Sequence, residues 1–417
     1  MFIDSGYSSF FIINVTFFAV KLLQFGLVWS APRTFDTSTH LFLEHYGITS
    51  NPWWGKLLSW DSIFFLKTSL WMTNSGYAAP QYEHEWAFSP IWSIIIQSSD
   101  LQHTVLKAVS LNLLLHYLST WIIYALTKLT FPPFGQNVQT KLALTTSVLF
   151  ILSSAAGFLI SIYSEPIAFT FSLLGMLFRQ WSISFDVYGN LHMNKLKWIS
   201  YLLSSFCFAF AFLNRSNCLL LGIFYVHDCL NLFKQRKWIT SIFYPILSGT
   251  ILFGVFVYFH YYLPYAALCP ERGEWCNSKI YGLPIPYQSV YSYIQAKHWN
   301  VGFLKYWTPN NIPNFLFGLP NIVITWNSIT YFSFQYPSRN MKPYIWIARI
   351  FLFVMVFLAN VQIINRVSSF LPLSLWYISD SLIKNPQEMR VVKYYVMWLL
   401  IWIPTQTALF ACFLPPA

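Results

Sequence analysis

The chain has 417 residues, of which 56% are hydrophobic, 20% aromatic and only 9% charged, against about 25% charge in a soluble globular domain. That balance excludes a soluble enzyme or a solvated binding module and marks a polytopic membrane protein. The net charge of +11 is then an orientation signal carried by loops, not a footprint for nucleic acid.

Apolar runs of spanning length, roughly 17–25 residues each, recur along the whole sequence. They fall near 9–29, 104–127, 142–162, 167–183, 198–213, 217–233, 239–263, 315–334, 343–365 and 391–413, about ten spans. The pair flanking residue 214 is short for a full crossing. The first run lacks a basic leader and a small-residue cleavage site, so it is expected to be a retained helix. Lys128 with Lys141, Lys195 with Lys197, Lys234, Arg236 and Lys237, and Arg339 with Lys342 fall in short alternate loops. Such loops read as cytosolic. Asp36, Glu44, Asp61, Glu83, Glu85, Glu271, Glu274 and Asp380 read as the opposite face, which carries two long segments, 30–103 and 264–314. Arg272, Lys279 and other cations lie there too, but long loops escape the rule. No repeat or low-complexity tract divides the chain, so residues 1–417 are expected to form one membrane-embedded domain.

The first long loop contains WGKLLSWDSIFFLKT, Trp54 to Thr68. At 100° per residue, Trp54, Leu57, Leu58, Phe64, Phe65 and Thr68 fall within about 60° of Asp61. The pattern predicts an amphipathic interfacial helix with Asp61 in its apolar stripe. A carboxylate there is costly unless paired, which makes it a functional candidate or half of a structural ion pair.

Further along lies GYAAPQYEHEWAFSP. Gly76, Ala78, Ala79 and Pro80 make a turn-rich approach, and Pro90 opens the next segment. Glu83, His84 and Glu85 therefore sit on a loop, with Tyr82, Trp86 and Phe88 as interface anchors. Three side chains in a row are too few and too close for a metal site. The chain also has no Asp-x-Asp to hold a nucleotide sugar through a metal. The plainer reading of this triplet is a solvated acidic loop.

SIYSEPIAF places Ser164, Glu165 and Pro166 at the start of an apolar helix, where Ser and Glu are ordinary helix-start residues. AFLNRSNCLL puts Arg215 in an otherwise apolar stretch. An arginine at mid-membrane costs about 2.5–3.5 kcal/mol on lenient scales, so Arg215 is expected at the membrane mouth. Its fork there suits a phosphate, or the side chain merely snorkels. Asn14 and Asn214 both meet the glycosylation pattern, but one lies in an apolar run and the other beside Arg215, so neither is expected to be modified. Cys269 and Cys276 bracket CPERGEWC in the second long loop and read as a disulfide or as two free thiols. WNVGFLKYWTPNNIPNFLFGLPN, Trp299 to Asn321, supplies aromatic and amide groups suited to sugar faces and hydroxyls, or to a turn with interface anchors.

WD at 60–61, GY…YEHEWAFSP at 76–90, SEP at 164–166, NRSN at 214–217 and W…IPNFL…P between 299 and 320 occur in order along most of the chain. Together they resemble the GPI mannosyltransferase 2 family, also called PIG-V, in a fungal form. EHEWAFSP is the specific motif; WD and SEP alone are weak. The resemblance implies a GT-C-type helical bundle with catalytic residues on the first large lumenal loop. It implies transfer of the second mannose, α1,6-linked, from dolichyl-phosphate mannose to the glycosylphosphatidylinositol precursor in the lumen of the endoplasmic reticulum. A small membrane partner subunit is implied as well, and no cofactor beyond the lipid donor.

On this basis Asp61, Glu83 and Glu85 are the candidate catalytic acids, with Asp61 the first choice as base. Trp60, His84, Trp86, Glu165, Arg215, Asn217 and Asn314 are the candidate substrate-binding residues, and no metal ligand is assigned. A lipid-sugar flippase, a non-catalytic scaffold or another dolichyl-phosphate-sugar transferase shares much of the composition. A flippase, however, would place its charges in mid-helix of paired segments, whereas here they gather on one loop.

Overall fold

The computed structural model describes residues 6–415 except 33, 50–51, 76–79, 81, 132–135, 187, 271–273, 278–285, 337 and 385–389. Gly76, Ala78 and Ala79 of the turn-rich approach, and Glu271, Arg272 and Lys279 of the second long loop, lie outside the described residues.

The protein is an all-α bundle. Long helices are α1 (Gly6–Ser30), α5 (Leu101–Thr130), α6 (Gln136–Ile151), α7 (Glu165–Ser182) and α8 (Trp198–Asn214). They continue as α9 (Ser216–Lys234), α10 (Trp238–Leu268), α12 (Ile312–Thr330), α13 (Arg339–Phe357) and α15 (Arg390–Ala411). Short helices α2 (Ser38–His45), α3 (Ser62–Ser75) and α4 (Pro90–Ile96) fill the first loop; α11 (Val290–His298) lies in the second, and α14 (Leu373–Lys384) is packed inside. Among the described residues, six helices are long and apolar enough to cross a membrane: α1, α5, α9, α10, α13 and α15. The fold class is as expected; the count of about ten spans is not confirmed.

Helix direction alternates, and the loops sort to two ends. At one end Arg339 Nη1 donates to Gly189 O at 3.0 Å, Lys237 Nζ to Leu191 O at 3.2 Å and Asn340 Nδ2 to Thr130 O at 3.4 Å. The four basic loops therefore meet, joined by a small hairpin in which Ile183 pairs with Met193. Asp380, assigned from sequence to the opposite face, is corrected here. It pairs with Lys384 at 2.8 Å and takes a hydrogen bond from Tyr331 at this basic end.

Two predicted spans end early. The run 142–162 is α-helical only to Ile151, after which residues 152–164 thread the interior with no more than a 3-10 turn, Ala156–Ile160, Ala156 having φ +38°. Non-helical backbone survives at membrane depth only when protein groups satisfy it. Trp402 Nε1 donates to Ser154 O, Asn112 Nδ2 to Ser161 O and Tyr163 O, and Trp92 Nε1 to Ile162 O, at 2.6–2.8 Å. Gln406 Oε1 accepts from Gly157 N at 2.7 Å. The run 343–365 is likewise helical only to Phe357, and a short helical turn, Ile364–Val367, follows it. Inside the bundle, Arg179 of α7 and Asp228 of α9 form a fully buried bidentate pair, at 2.8 and 2.5 Å, with Tyr201 of α8 donating to the same carboxylate.

Candidate active site

The predicted interfacial helix is broken at its centre. Trp53–Leu57 forms a short 3-10 turn, Trp60 takes a left-handed φ of +58°, and α3 starts only at Ser62. Helical periodicity picked out buried side chains in Trp54, Leu57, Leu58 and Phe65, but Phe64 of the same stripe is only half-buried and Ser59 and Leu66 outside it are fully buried. It could not place the backbone. Trp60 is a large residue in a region that favours glycine, and the surroundings must hold it there. Thr39 Oγ1 donates to Leu58 O at 2.6 Å and Ser59 Oγ to Phe410 O at 2.8 Å. The fully buried Tyr163 hydroxyl accepts from Asp61 N at 2.8 Å and donates to Ser59 O at 3.0 Å. The Trp60 ring rests on Phe413, centroids 4.9 Å apart. Asp61 thus leaves the interfacial face and projects from a pinned turn.

It projects onto a cavity of about 430 Å³ at the end opposite the basic loops, also walled by Trp60, Arg215, Asn217, Trp299, Asn314 and Arg366. That volume is in the range of a small-molecule site. Five amides line it, Asn217, Gln295, Asn314, Asn360 and Gln362, with the indoles of Trp60 and Trp299. Asn314 Nδ2 donates to Tyr306 OH at 2.7 Å, and Tyr306 OH to Gln362 Oε1 at 2.8 Å, which fixes that amide wall. Asn360 Oδ1 is buried with no hydrogen-bond partner among the described residues.

Charge in the cavity is organised as a chain. Asp61 Oδ2 lies 3.0 Å from Arg366 Nη1; Arg366 Nε lies 2.5 Å from Glu165 Oε1; the same Glu165 oxygen lies 2.5 Å from Arg215 Nη2. Glu165 is fully buried, Arg366 and Arg215 are 9% and 15% exposed, and Asp61 is 31% exposed. The Arg366 guanidinium lies 5.0 Å from the centroids of both Phe158 and Tyr163. Arg215 sits at a helix break, between α8 and α9. Its Nε is buried without a hydrogen-bond partner among the described residues. Arg366 was missed from sequence. It follows the run 343–365 by one residue and so looks like a helix-ending cation. The signal that could have found it is the repeated pair Asn214-Arg215 and Asn365-Arg366, each isolated in apolar sequence.

The acidic triplet lies elsewhere. Glu83, His84 and Glu85 belong to a 3-10 turn, Glu83–Ala87, and none of the three lines the cavity, although Ala87 and Phe88 do. Glu85 is 3% exposed; its carboxylate accepts from Lys67 Nζ at 2.6 Å and from Tyr82 N at 3.0 Å. Glu83 faces His298 Nε2 at 3.6 Å and Lys297 Nζ at 3.8 Å, both on α11. Partial burial lowers the His84 pKa, against the opposing pull of Glu85. The turn therefore straps the first long loop to α11, which carries the cavity residues Tyr291 and Gln295. Trp86 lines a separate small pocket with Asn214, Arg215 and His260. Asn214 itself is 4% exposed and bonded to Ser89. In the second loop Cys269 and Cys276 form a disulfide. Among the described residues, no three His, Cys, Asp or Glu side chains converge as metal ligands.

Residues 30–417 match the family described as Mannosyltransferase (PIG-V). The chain is 95% identical over 417 residues, all of both chains, to GPI mannosyltransferase 2 of Kluyveromyces lactis. It is 45% identical to GPI mannosyltransferase 2 of Saccharomyces cerevisiae, over 97% of this chain and 100% of that one. Among solved structures, the Archaeoglobus fulgidus oligosaccharyltransferase tethered to an acceptor peptide overlays 99% of this chain and 56% of its own, with a TM-score of 0.50 at 12% identity. That last likeness is one of fold alone, a GT-C-type helical bundle.

Proposed function

Because the chain belongs to the PIG-V mannosyltransferase family, we propose that it adds the second mannose, α1,6-linked, to the glycosylphosphatidylinositol precursor, taking it from dolichyl-phosphate mannose. The observation that carries this reading is the cavity that joins one part-exposed carboxylate, Asp61, to two arginines among amides and indoles. Amides and indoles suit sugar hydroxyls and faces; arginines suit phosphate.

The chemistry is a single displacement. The acceptor 6-hydroxyl oxygen attacks C1 of the β-linked mannosyl phosphate, the C1–O bond to phosphate breaks with its electron pair, and the α-linkage forms with inversion. Asp61 takes the hydroxyl proton. Arg215 holds a lipid-linked phosphate. Asn217, Asn314, Trp60 and Glu165 bind or support the sugars and the arginines. Glu83, His84, Glu85 and Trp86 hold the wall of the site in register. No metal enters the mechanism.

The whole chain acts as one membrane-embedded domain, with segments 30–103 and 264–314 on the lumenal face of the endoplasmic reticulum membrane and the basic loops in the cytosol. A small membrane subunit is its expected partner. The test is transfer by the purified protein from short-chain dolichyl-phosphate mannose to a singly mannosylated acceptor lipid. An α1,6-mannosidase-sensitive product is expected. No transfer from this donor, or a product of another linkage, would overturn the reading.

A further inference from the structure

We propose that Arg366 couples the base to the leaving group: it pairs with Asp61 in the free enzyme and turns its charge to the donor phosphate as the proton is transferred. This inference rests on the reading above.

Its geometry is distinctive. Arg366 touches two carboxylates that come from different elements, Asp61 at 3.0 Å and Glu165 at 2.5 Å. Glu165 is fully buried and shares one oxygen between Arg366 and Arg215. Two like charges are drawn together by one fixed counter-charge, which holds both guanidiniums at the cavity wall. Among the described residues Arg215 Nε is buried with no hydrogen-bond partner, whereas Arg366 Nε is held by Glu165 at 2.5 Å, which leaves its Nη1, on Asp61, as the group that can change partner. A buried donor left open is costly, and a phosphate oxygen is the acceptor that suits a guanidinium fork.

The charge balance of the reaction supplies the coupling. Before transfer the four side chains cancel, two carboxylates against two guanidiniums, and the donor phosphodiester carries one negative charge. When Asp61 takes the acceptor proton it becomes neutral. The C1–O electron pair goes to the phosphate, which becomes a monoester with a second negative charge. The cluster gains one net positive charge as the leaving group gains one negative charge. Arg366 is the member released by that change, because it alone pairs with Asp61 among the described residues. Contact with the perpendicular Phe158 and Tyr163 rings, each centroid 5.0 Å from the guanidinium carbon, lets the group stay put while the partner of Nη1 changes.

A simple structural ion pair differs from this handover in the double variant, because loss of the Asp61 charge alone would tighten anion binding whichever cation stands at position 366. Asp61→Asn resembles the protonated state and frees Arg366. Purified Asp61→Asn should therefore bind short-chain dolichyl phosphate about tenfold or more tightly than wild type, a charge-assisted bond being worth that much, although its turnover falls about a hundredfold or more. Asp61→Asn combined with Arg366→Lys should lose the gain. Equal or weaker dolichyl phosphate binding by Asp61→Asn overturns the proposal, as does a gain that persists in the double variant. If the double variant does not accumulate, equal or weaker binding by the single variant still overturns the proposal. Wild-type transfer from dolichyl-phosphate mannose, measured alongside, separates this failure from failure of the functional reading itself.

Discussion

Tyr163 and Asp61 are joined by a hydrogen bond from the Asp61 backbone to the Tyr163 hydroxyl at 2.8 Å, and that hydroxyl in turn donates to Ser59 O at 3.0 Å. One buried phenol thus closes both sides of the turn that aims the carboxylate. Tyr163→Phe should lower turnover roughly tenfold or more, since small misplacement of a reacting group is expensive. Two unmatched backbone groups should cost about 1–3 kcal/mol in stability. Steady-state kinetics beside a thermal melt would check this. Unchanged turnover in a folded variant would mean that the turn holds without the phenol.

Asp61→Asn keeps the size and polarity of the side chain but removes the base. Turnover should fall about a hundredfold or more, while labelled donor still binds. Near-normal transfer would take the base role from Asp61.

Arg215→Lys loses the planar fork that a phosphate uses. The KM for dolichyl-phosphate mannose should rise roughly ten- to hundredfold, with turnover falling too, because charge grows on that phosphate in the transition state. A rise in the acceptor KM alone would move Arg215 to the acceptor's phosphate. A lower melting temperature with unchanged kinetics would make it structural.

Asp228→Ala leaves Arg179 buried and uncompensated, far from the cavity, at the end where α7 and α9 approach the basic loops. Breaking such a pair costs about 3–5 kcal/mol. Protein yield and melting temperature should drop sharply, with KM unchanged in whatever enzyme survives. A shifted donor KM would show that the pair communicates with the site.

Chelation should leave transfer intact, because the leaving group is a phosphate already placed on arginines. Full loss of activity with EDTA and recovery with a divalent ion would require a metal in the mechanism.

Much of the site was legible because polar residues are rare here. Asp61, Glu165 and Arg215 each stand out against apolar neighbours, and the family resemblance links their motifs. Their partnership was not legible, since Arg366 meets Asp61 across 305 residues of sequence. The helix read through Asp61 failed at Trp60, because tertiary hydrogen bonds hold a bulky residue in a conformation that its own preference disfavours. The run 142–162 failed similarly. Its composition is that of a helix, and only the side chains of α4, α5 and α15 make another path affordable. Glu83 and Glu85 were conspicuous by charge, but charge does not say whether a carboxylate faces a cavity or a lysine.

The irregular stretch 152–164 also bears on biogenesis. Its backbone is closed partly by Trp402 and Gln406 of α15, 248 and 249 residues further along the chain. Until that helix has entered the bilayer, Ser154 O and Gly157 N face hydrocarbon or trapped water. The loop that carries Tyr163, and with it the aim of Asp61, is then complete only once α15 has been made. A nascent chain lacking α15 would offer the membrane quality-control machinery an unpaired polar strand in its interior, and would be inactive although every cavity-lining side chain up to Val367 had already been made.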